Sequence, residues 1–211
     1  IRDFAKTGMV EVVALCDVDL DGKQCRKILE MYPDAKRFRD FREMFDRCGH
    51  EFDAVAAAIP DCSHFAVAML ALAQGKHIFV EKPLCLTFHQ AELLMAAARK
   101  HPELATQVGN QGHSEANYFQ FKAWLDAGII KDVTAVTAHM NNPRRWHSFD
   151  AKGMYRMPEE QPIPANMDWD TWLGVLPYHE FNEKYHQGDW RCWYDTGMGC
   201  LGDWGAHILD T

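Results

Sequence analysis

The residues of this chain best placed to move a proton are one lysine and an aspartate–histidine pair far downstream. Lys82 lies in Glu81-Lys82-Pro83, at the end of the apolar run HIFVE. Ligands of open α/β sheets bind outside the carboxyl ends of the strands, so a lysine at that point faces the crevice. Beside a cationic ring such as an oxidised nicotinamide its ammonium form is disfavoured. The neutral amine can then take a hydroxyl proton while a hydride leaves the same carbon. A surface lysine paired with Glu81 is the plainer alternative. Asp203 and His207 sit in GCLGDWGAH, and a spacing of i, i+4 puts both on one helix face. The aspartate can orient the imidazole or bind a second hydroxyl, and the histidine can relay the proton. A surface i, i+4 pair and a divalent-metal site are the alternatives. No third ligand is evident from the sequence, so no metal is expected.

Further positions fit a nucleotide cofactor and a polar substrate. Asp17 ends the run EVVALCD. An acid at the end of the second strand of a dinucleotide fold accepts hydrogen bonds from the adenosine ribose hydroxyls, and its charge repels a 2′-phosphate, so NAD is expected rather than NADP. Asp19 and Asp21 follow at once, which leaves a turn-forming role open. Pro60 and His64 close a second apolar run, so the imidazole either faces the crevice or lies exposed on the first turn of a helix. Asn110 and Gln111 end a further run, where they can bind a carboxamide or substrate, or simply cap a loop. Aromatics at 146, 155, 169, 172, 190, 193 and 194, with Arg144, Arg145 and Arg191, could form a sugar-stacking wall. Ordinary packing accounts for most of them, and Trp190 and Arg191 are the two expected to touch substrate.

The elements that must position these groups are readable from the pattern. Residues 11–17, 52–59, 77–81 and 106–109 are short apolar runs without clean alternation, the mark of strands buried on both faces of a parallel sheet. Helical patterns separate them. Asp40 and Glu43 have capping-box spacing, as do Thr87 and Gln90. Ser63 is a candidate cap for the helix that Gly75 ends. Strands alternating with helices of this length mean βαβ units and a doubly wound sheet. After Gly112 the texture changes: a helix over residues 115–127, an alternating strand over 133–140, then a Trp-, Pro- and Arg-rich stretch to Trp193. This predicts an α/β Rossmann domain over residues 1–113 and an α+β domain with an open, mainly antiparallel sheet over 114–211. No Gly-rich phosphate turn precedes Asp17. Such a turn and the central first strand are expected upstream of Ile1, so the sequence reads as a fragment that, alone, binds NAD poorly and aggregates through unpaired strand edges.

Composition narrows the partners. The net charge of −8 over 211 residues disfavours nucleic acid and anionic membrane. There is no apolar run near the ~18 residues of a membrane span. The seven cysteines show no C-x-x-C spacing, which fits small apolar fillers better than a zinc or redox site.

The ordered set Asp17, Pro60-Asp61 with His64, Glu81-Lys82-Pro83, Gly109-Asn110-Gln111-Gly112-His113 and the D-x-x-x-H of Asp203 and His207 resembles the Gfo/Idh/MocA oxidoreductases, over essentially the whole chain. The resemblance implies catalysis by Lys82 and His207 with Asp203 beside them. It also implies cofactor contacts from Asp17, Pro60, His64, Glu81, Lys82 and Gln111, and substrate contacts from Lys82, Asn110, Trp190, Arg191, Asp203 and His207. The implied activity is NAD-dependent oxidation or reduction of a carbohydrate, glycoside or cyclic polyol. Two alternatives stand beside it: a redox-neutral glycosidase or lyase that oxidises a glycoside transiently, and a non-catalytic nucleotide-binding regulator. A homo-oligomer joined through the C-terminal sheet is expected. The compartment is cytoplasmic, or periplasmic if an upstream export signal exists.

Overall fold

The computed structural model describes residues 5–139, 158–186 and 189–209. Strand β1 (Ala14–Cys16) pairs in parallel with β2 (Lys36–Phe38). Strands β3 (Ala54–Ala57), β4 (His77–Glu81) and β5 (Thr106–Gly109) form a second parallel sheet in that order. Helices α1 (Lys23–Met31), α2 (Phe41–Cys48), α3 (Asp61–Ala73) and α4 (Phe88–Lys100) alternate with the strands, the crossover connections that parallel pairing requires. Strand β2, only Lys-Arg-Phe, carries too little apolar pattern to be read from sequence. β1 and β3 belong to different sheets, and a cleft of about 1730 Å³ runs along their facing edges to the strands' carboxyl ends. In the 3-2-1-4-5-6 order one strand lies between two such neighbours.

The core explains why these segments hold. In β4, Ile78 and Val80 are buried under the helices while Phe79 points the other way, to the cleft. Ala68, Ala71 and Leu72 of α3, Met44, Phe45 and Cys48 of α2, and Leu94 of α4 complete one cluster with Phe38 and Phe52. Phe45 and Phe52 meet edge to face, with centroids 5.2 Å apart.

The caps follow the sequence with two corrections. Thr87 accepts from the Gln90 amide at 3.2 Å while Gln90 accepts from Leu86 N at 3.0 Å, so this cap is reciprocal. Asp40 caps α2 through Arg42 N at 2.8 Å, but Glu43 turns away to pair with Arg47 at 2.6 Å, so the expected box is only half made. Ser63 is not the cap of α3. That helix begins at Asp61 behind extended Pro60 (φ −57°, ψ 145°), which puts Ser63 inside the first turn, donating its amide to Pro60 O. Gly75, at φ +67°, closes α3 in the left-handed region where glycine is tolerated.

Beyond β5 lie α5 (Ala116–Asp126), α6 (Trp169–Leu173) and α7 (Gly199–Ile208). The strand expected over 133–140 is not formed in its described part, 133–139. Among the described residues no strand lies beside it, and a lone strand leaves its backbone polar groups unpaired. Met167, Trp169, Trp172, Leu173, Phe181, Tyr185 and Trp190 build a second, aromatic cluster. Trp169 stacks on Trp172 at 4.6 Å, and its indole N–H donates to His179 O at 2.7 Å. None of the described helices is long and apolar enough to cross a membrane.

Candidate active site

The carboxyl end of β4 delivers Lys82 directly onto α7. Its ammonium donates to Asp203 Oδ1 at 2.6 Å and to the Asp203 carbonyl oxygen. Arg191, on the 3-10 turn Asp189–Cys192, donates to the same carboxylate oxygen from 3.3 Å. The guanidinium lies 4.0 Å from the centroid of the Trp190 ring, whose π face favours a cation. Asp203 is 5 % exposed, so both cations meet a carboxylate largely out of water, where pairing is strong and breaking the pair is costly. His207 lies one turn along α7, as the spacing predicts. Burial, and then the Lys82 charge, hold its imidazole below the usual histidine range, so near neutral pH it is a proton acceptor. Asn110 Nδ2 reaches the Ala206 carbonyl at 2.8 Å and ties the end of β5 to the same helix.

Two buried groups stand behind this cluster on the first turn of α3. His64, 1 % exposed, donates Nδ1–H to Pro83 O at 2.6 Å. It therefore braces the turn that carries Lys82 instead of lining the cleft, and its Nε2 is buried without a hydrogen-bond partner. Burial depresses its pKa. Asp61 is 2 % exposed and lines the cleft; its Oδ2 has no hydrogen-bond partner. Burial pushes its carboxyl from the ordinary 3.8 up to about 6, against the opposing pull of Arg191. In the sequence, Asp61 stands only as part of the Pro60-Asp61 motif. The signal was present: an acid in the first helical turn after a strand, where a helix N-terminus favours negative charge.

Asp17 lies at the other end of the cleft. Its Oδ1 accepts from Asp19 N at 2.8 Å, so the turn-forming role is realised, while its carboxylate still lines the cleft. Around it the distant segment 164–172 closes in. Asn166 Nδ2 donates to Asp19 Oδ1, Arg39 donates to the Asn166 carbonyl and to Asp21 Oδ2 (2.6 Å), and Asp168 N donates to Val18 O at 3.2 Å. Asn166 and the Arg39 contact to it carry no motif, because they arise across more than 120 positions of sequence.

The remaining candidates divide. Pro60 and Glu81 line the cleft, and Gly109 leaves room for Glu81, whose carboxyl carbon would lie 2.9 Å from an added Cβ. Gln111 is exposed and outside the cleft. Trp169 and Trp172 belong to the buried aromatic cluster, and Trp172, like Trp190 with Arg191, also lines the cleft. Arg144, Arg145, Trp146 and Tyr155 lie outside the described residues. Burial pushes the Cys16 and Cys62 thiols up to about 12 and 11, which makes them packing groups, not nucleophiles. Among the described residues no three His, Cys, Asp or Glu side chains converge as a metal set.

One further run has dinucleotide-fingerprint spacing: Gly197-Met198-Gly199-Cys200-Leu201-Gly202. It follows a 3-10 turn instead of a strand. A Cβ at 197 would lie 2.6 Å from Arg191 Cα, and one at 202 would lie 2.1 Å from Met198 Cβ. These glycines admit protein, not pyrophosphate. The cleft nevertheless suits the two nucleoside ends of NAD: an acid at the carboxyl end of β1 for a ribose, and unpartnered Asp61 Oδ2 beside Lys82 at the ends of β3 and β4.

Comparison with known proteins agrees with this layout. Residues 2–110 match the Gfo/Idh/MocA family described as an oxidoreductase family with an NAD-binding Rossmann fold, and residues 116–211 match its C-terminal alpha/beta domain. Inositol 2-dehydrogenase of Salmonella typhimurium is 30 % identical over 132 residues, 62 % of this chain and 38 % of that protein. The inositol 2-dehydrogenase/D-chiro-inositol 3-dehydrogenase of Lactiplantibacillus plantarum is 28 % identical over 164 residues, 78 % of this chain and 45 % of that protein. The crystal structure of scyllo-inositol dehydrogenase from Lactobacillus casei with bound NAD(H) and scyllo-inositol superposes with a TM-score of 0.51 at 26 % identity, covering 59 % of this chain and 35 % of that one. The chain thus spans about two fifths of the length of the curated relatives it matches. With a parallel Rossmann sheet followed by the family's C-terminal α/β domain, the chain belongs to the Gfo/Idh/MocA oxidoreductase family.

Proposed function

We propose that the full-length protein oxidises or reduces a secondary hydroxyl of a cyclic polyol or sugar, using NAD in preference to NADP, with the domains divided near residues 113–114. The observation that carries this reading is the meeting of Lys82, from the end of β4, with Asp203 and Arg191 at the head of the cleft. When bound, NAD supplies the two-electron acceptor for the hydride that leaves the carbinol carbon. The chain's residues handle the proton. In the reducing direction the Lys82 ammonium is in the right state to give a proton to a carbonyl oxygen. In the oxidising direction the same path runs backwards, and neutral His207 is the group able to carry the proton away. Asp203 holds Lys82 in place, and Arg191 offers donors to neighbouring hydroxyls. Pro60 and Glu81 flank the nicotinamide end, with His64 bracing the Lys82 turn behind it. Asp17 faces the adenosine ribose, and its charge disfavours a 2′-phosphate. Relatives named as inositol dehydrogenases support a cyclic polyol as the first substrate class to try.

The test is to incubate the full-length protein with NAD and a panel of inositols and sugars, following both NADH absorbance and product. NADH accumulating in step with ketone establishes the reading. Product without NADH replaces it with the redox-neutral glycosidase or lyase. No change in any polyol or glycoside, with NAD bound, replaces it with a nucleotide-binding regulator.

A further inference from the structure

One segment of the second domain crosses the carboxyl ends of the Rossmann strands. It runs from Pro164 through α6 to Gly174, and Pro164, Asn166, Met167, Thr171 and Trp172 all line the cleft. Its first end is tied to the sheet of β1 and β2. Asp168 N donates to Val18 O at 3.2 Å, and Asn166 Nδ2 donates to Asp19 Oδ1. Arg39 donates to the carbonyl oxygens of Val18 (3.1 Å) and Asn166. Its second end reaches the first turn of α3, the helix that follows β3. There α6 packs against α3, and a Cβ at Gly174 would lie 3.9 Å from Ser63 Oγ. The segment therefore spans the cleft from one sheet to the other, outside the strand ends where ligands of open α/β sheets bind. The two ends are held differently. Trp169 and Trp172, 3 % and 4 % exposed, are stacked in the aromatic cluster and anchor the α6 end. Residues 164–166 are exposed and reach the Rossmann domain through polar contacts, Asn166 to Asp19 and Arg39 to Asn166. Stretches held by exposed hydrogen bonds with little buried apolar surface are the ones that open at least cost.

We propose that residues 164–174 form the outer wall of the cofactor crevice: NAD lies between this segment and the strand ends, and the 164–168 end must release Asp19 and Arg39 before the cofactor can leave. The latch adjoins the ribose site. Asp19, which receives Asn166, also donates its amide to Asp17 Oδ1 at 2.8 Å, so a ribose bound at Asp17 and the wall latched at Asp19 share one turn of chain. The second domain thus serves cofactor retention at this end of the cleft. The occupant rests on the NAD reading of the site; the contacts that make the wall do not.

Two variants of the full-length protein test it, Asn166→Ala and Asn166→Asp. Alanine removes the donor to Asp19, and aspartate sets a like charge against that carboxylate. NADH dissociation, followed by its fluorescence after mixing with excess NAD, is expected to speed up about three- to tenfold in Asn166→Ala, the worth of one hydrogen bond in a partly wet site. In Asn166→Asp it is expected to be faster still. In the parent, saturating NAD without substrate is expected to slow amide hydrogen exchange of residues 166–168 at least about fivefold, because the occupied crevice keeps the wall latched. Unchanged NADH dissociation in both variants overturns the proposal. So does exchange at 166–168 that ignores NAD. An Asn166→Asp effect confined to KM for the polyol overturns it as well, since it would place the segment beside the substrate. Should Asn166→Asp not fold, Asn166→Ala and the exchange of the parent decide alone. Calorimetric titration separates this from the proposed function. A parent that binds NAD with these rates and turns over no polyol loses the reaction and keeps the wall; one that binds neither NAD nor NADP loses both.

Discussion

The two ends of the cleft solve different physical problems with the same residue types. At the Asp17 end, three carboxylates each have a protein donor: Asp17 from an amide of its own turn, Asp19 from Gln24 (2.9 Å) and Asn166, and Asp21 from Arg39. The Asp21–Arg39 pair remains substantially exposed, so it is exchangeable with water and individually modest, while Asp19 is 6 % exposed and held by neutral side-chain amides. At the Lys82 end the charges are buried. Asp203 serves two cations and the Lys82 side chain is 14 % exposed, while Asp61 keeps one oxygen without a partner. Buried charge is expensive unless paired, and here both cations converge on one carboxylate. The Asp17 end is held by neutral donors and an exposed ion pair, whereas the Lys82 end concentrates buried charge.

The strongest test of that contrast removes the cation at the chemical end. Lys82→Met in the full-length protein is expected to lower turnover by ~10²–10⁴-fold with NAD affinity changed less than a few-fold. Turnover within a few-fold of the parent would place the chemistry elsewhere. Next in size is the cost of Asp61 ionisation. Its carboxyl titrates at about 6 in the folded protein against 3.8 normally, so the folded state holds the proton more tightly. Stability from this group is therefore highest below about pH 4 and is lost as pH rises through about 6. At ~1.4 kcal/mol per pH unit, Asp61→Asn should be more stable than the parent by up to about 3 kcal/mol at pH 7, with no difference near pH 3.5. Paired urea denaturation curves at both pH values check the sign, and a neutral-pH destabilisation would show that ionised Asp61 is welcome in its site. At the other end, Asp17→Ser should move the NADP:NAD affinity ratio roughly five- to tenfold towards NADP, the worth of one charge in a partly wet site. Equal affinities in the parent would remove the ribose role. Arg39→Ala is the smallest, at about 1 kcal/mol or less, visible as a lower urea midpoint with kcat unchanged. A drop in kcat instead would mean that the two ends are not separable.

What was legible in the sequence follows the same division. Strands β1, β3, β4 and β5 were visible because burial on both faces makes continuous apolar runs, although β1 and β3 are shorter than those runs. Lys82, Asp203 and His207 were visible because each sits at a position defined by local pattern: a strand end, or one helix face. Asp61 was visible as part of a motif, but its near-complete burial was not. Asn166 was invisible because its partners, Asp19 and Arg39, lie more than 120 positions away. Ser63 was misplaced because a proline can open a helix without offering a side-chain cap. Residues 133–139 have an alternating pattern, but alternation makes a strand only where another strand accepts its ladder.

Helix α7 is held through its main chain as well as through the Asp203 carboxylate. Lys82 reaches the Asp203 carbonyl, and Asn110 the Ala206 carbonyl. Peptide groups are the same whatever side chain they carry, so these two contacts do not depend on the identity of Ala206, and the exposed Leu201 takes no part in them. An exposed position such as Leu201 is therefore open to substitution, which would leave Lys82, Asp203 and Asn110 in register.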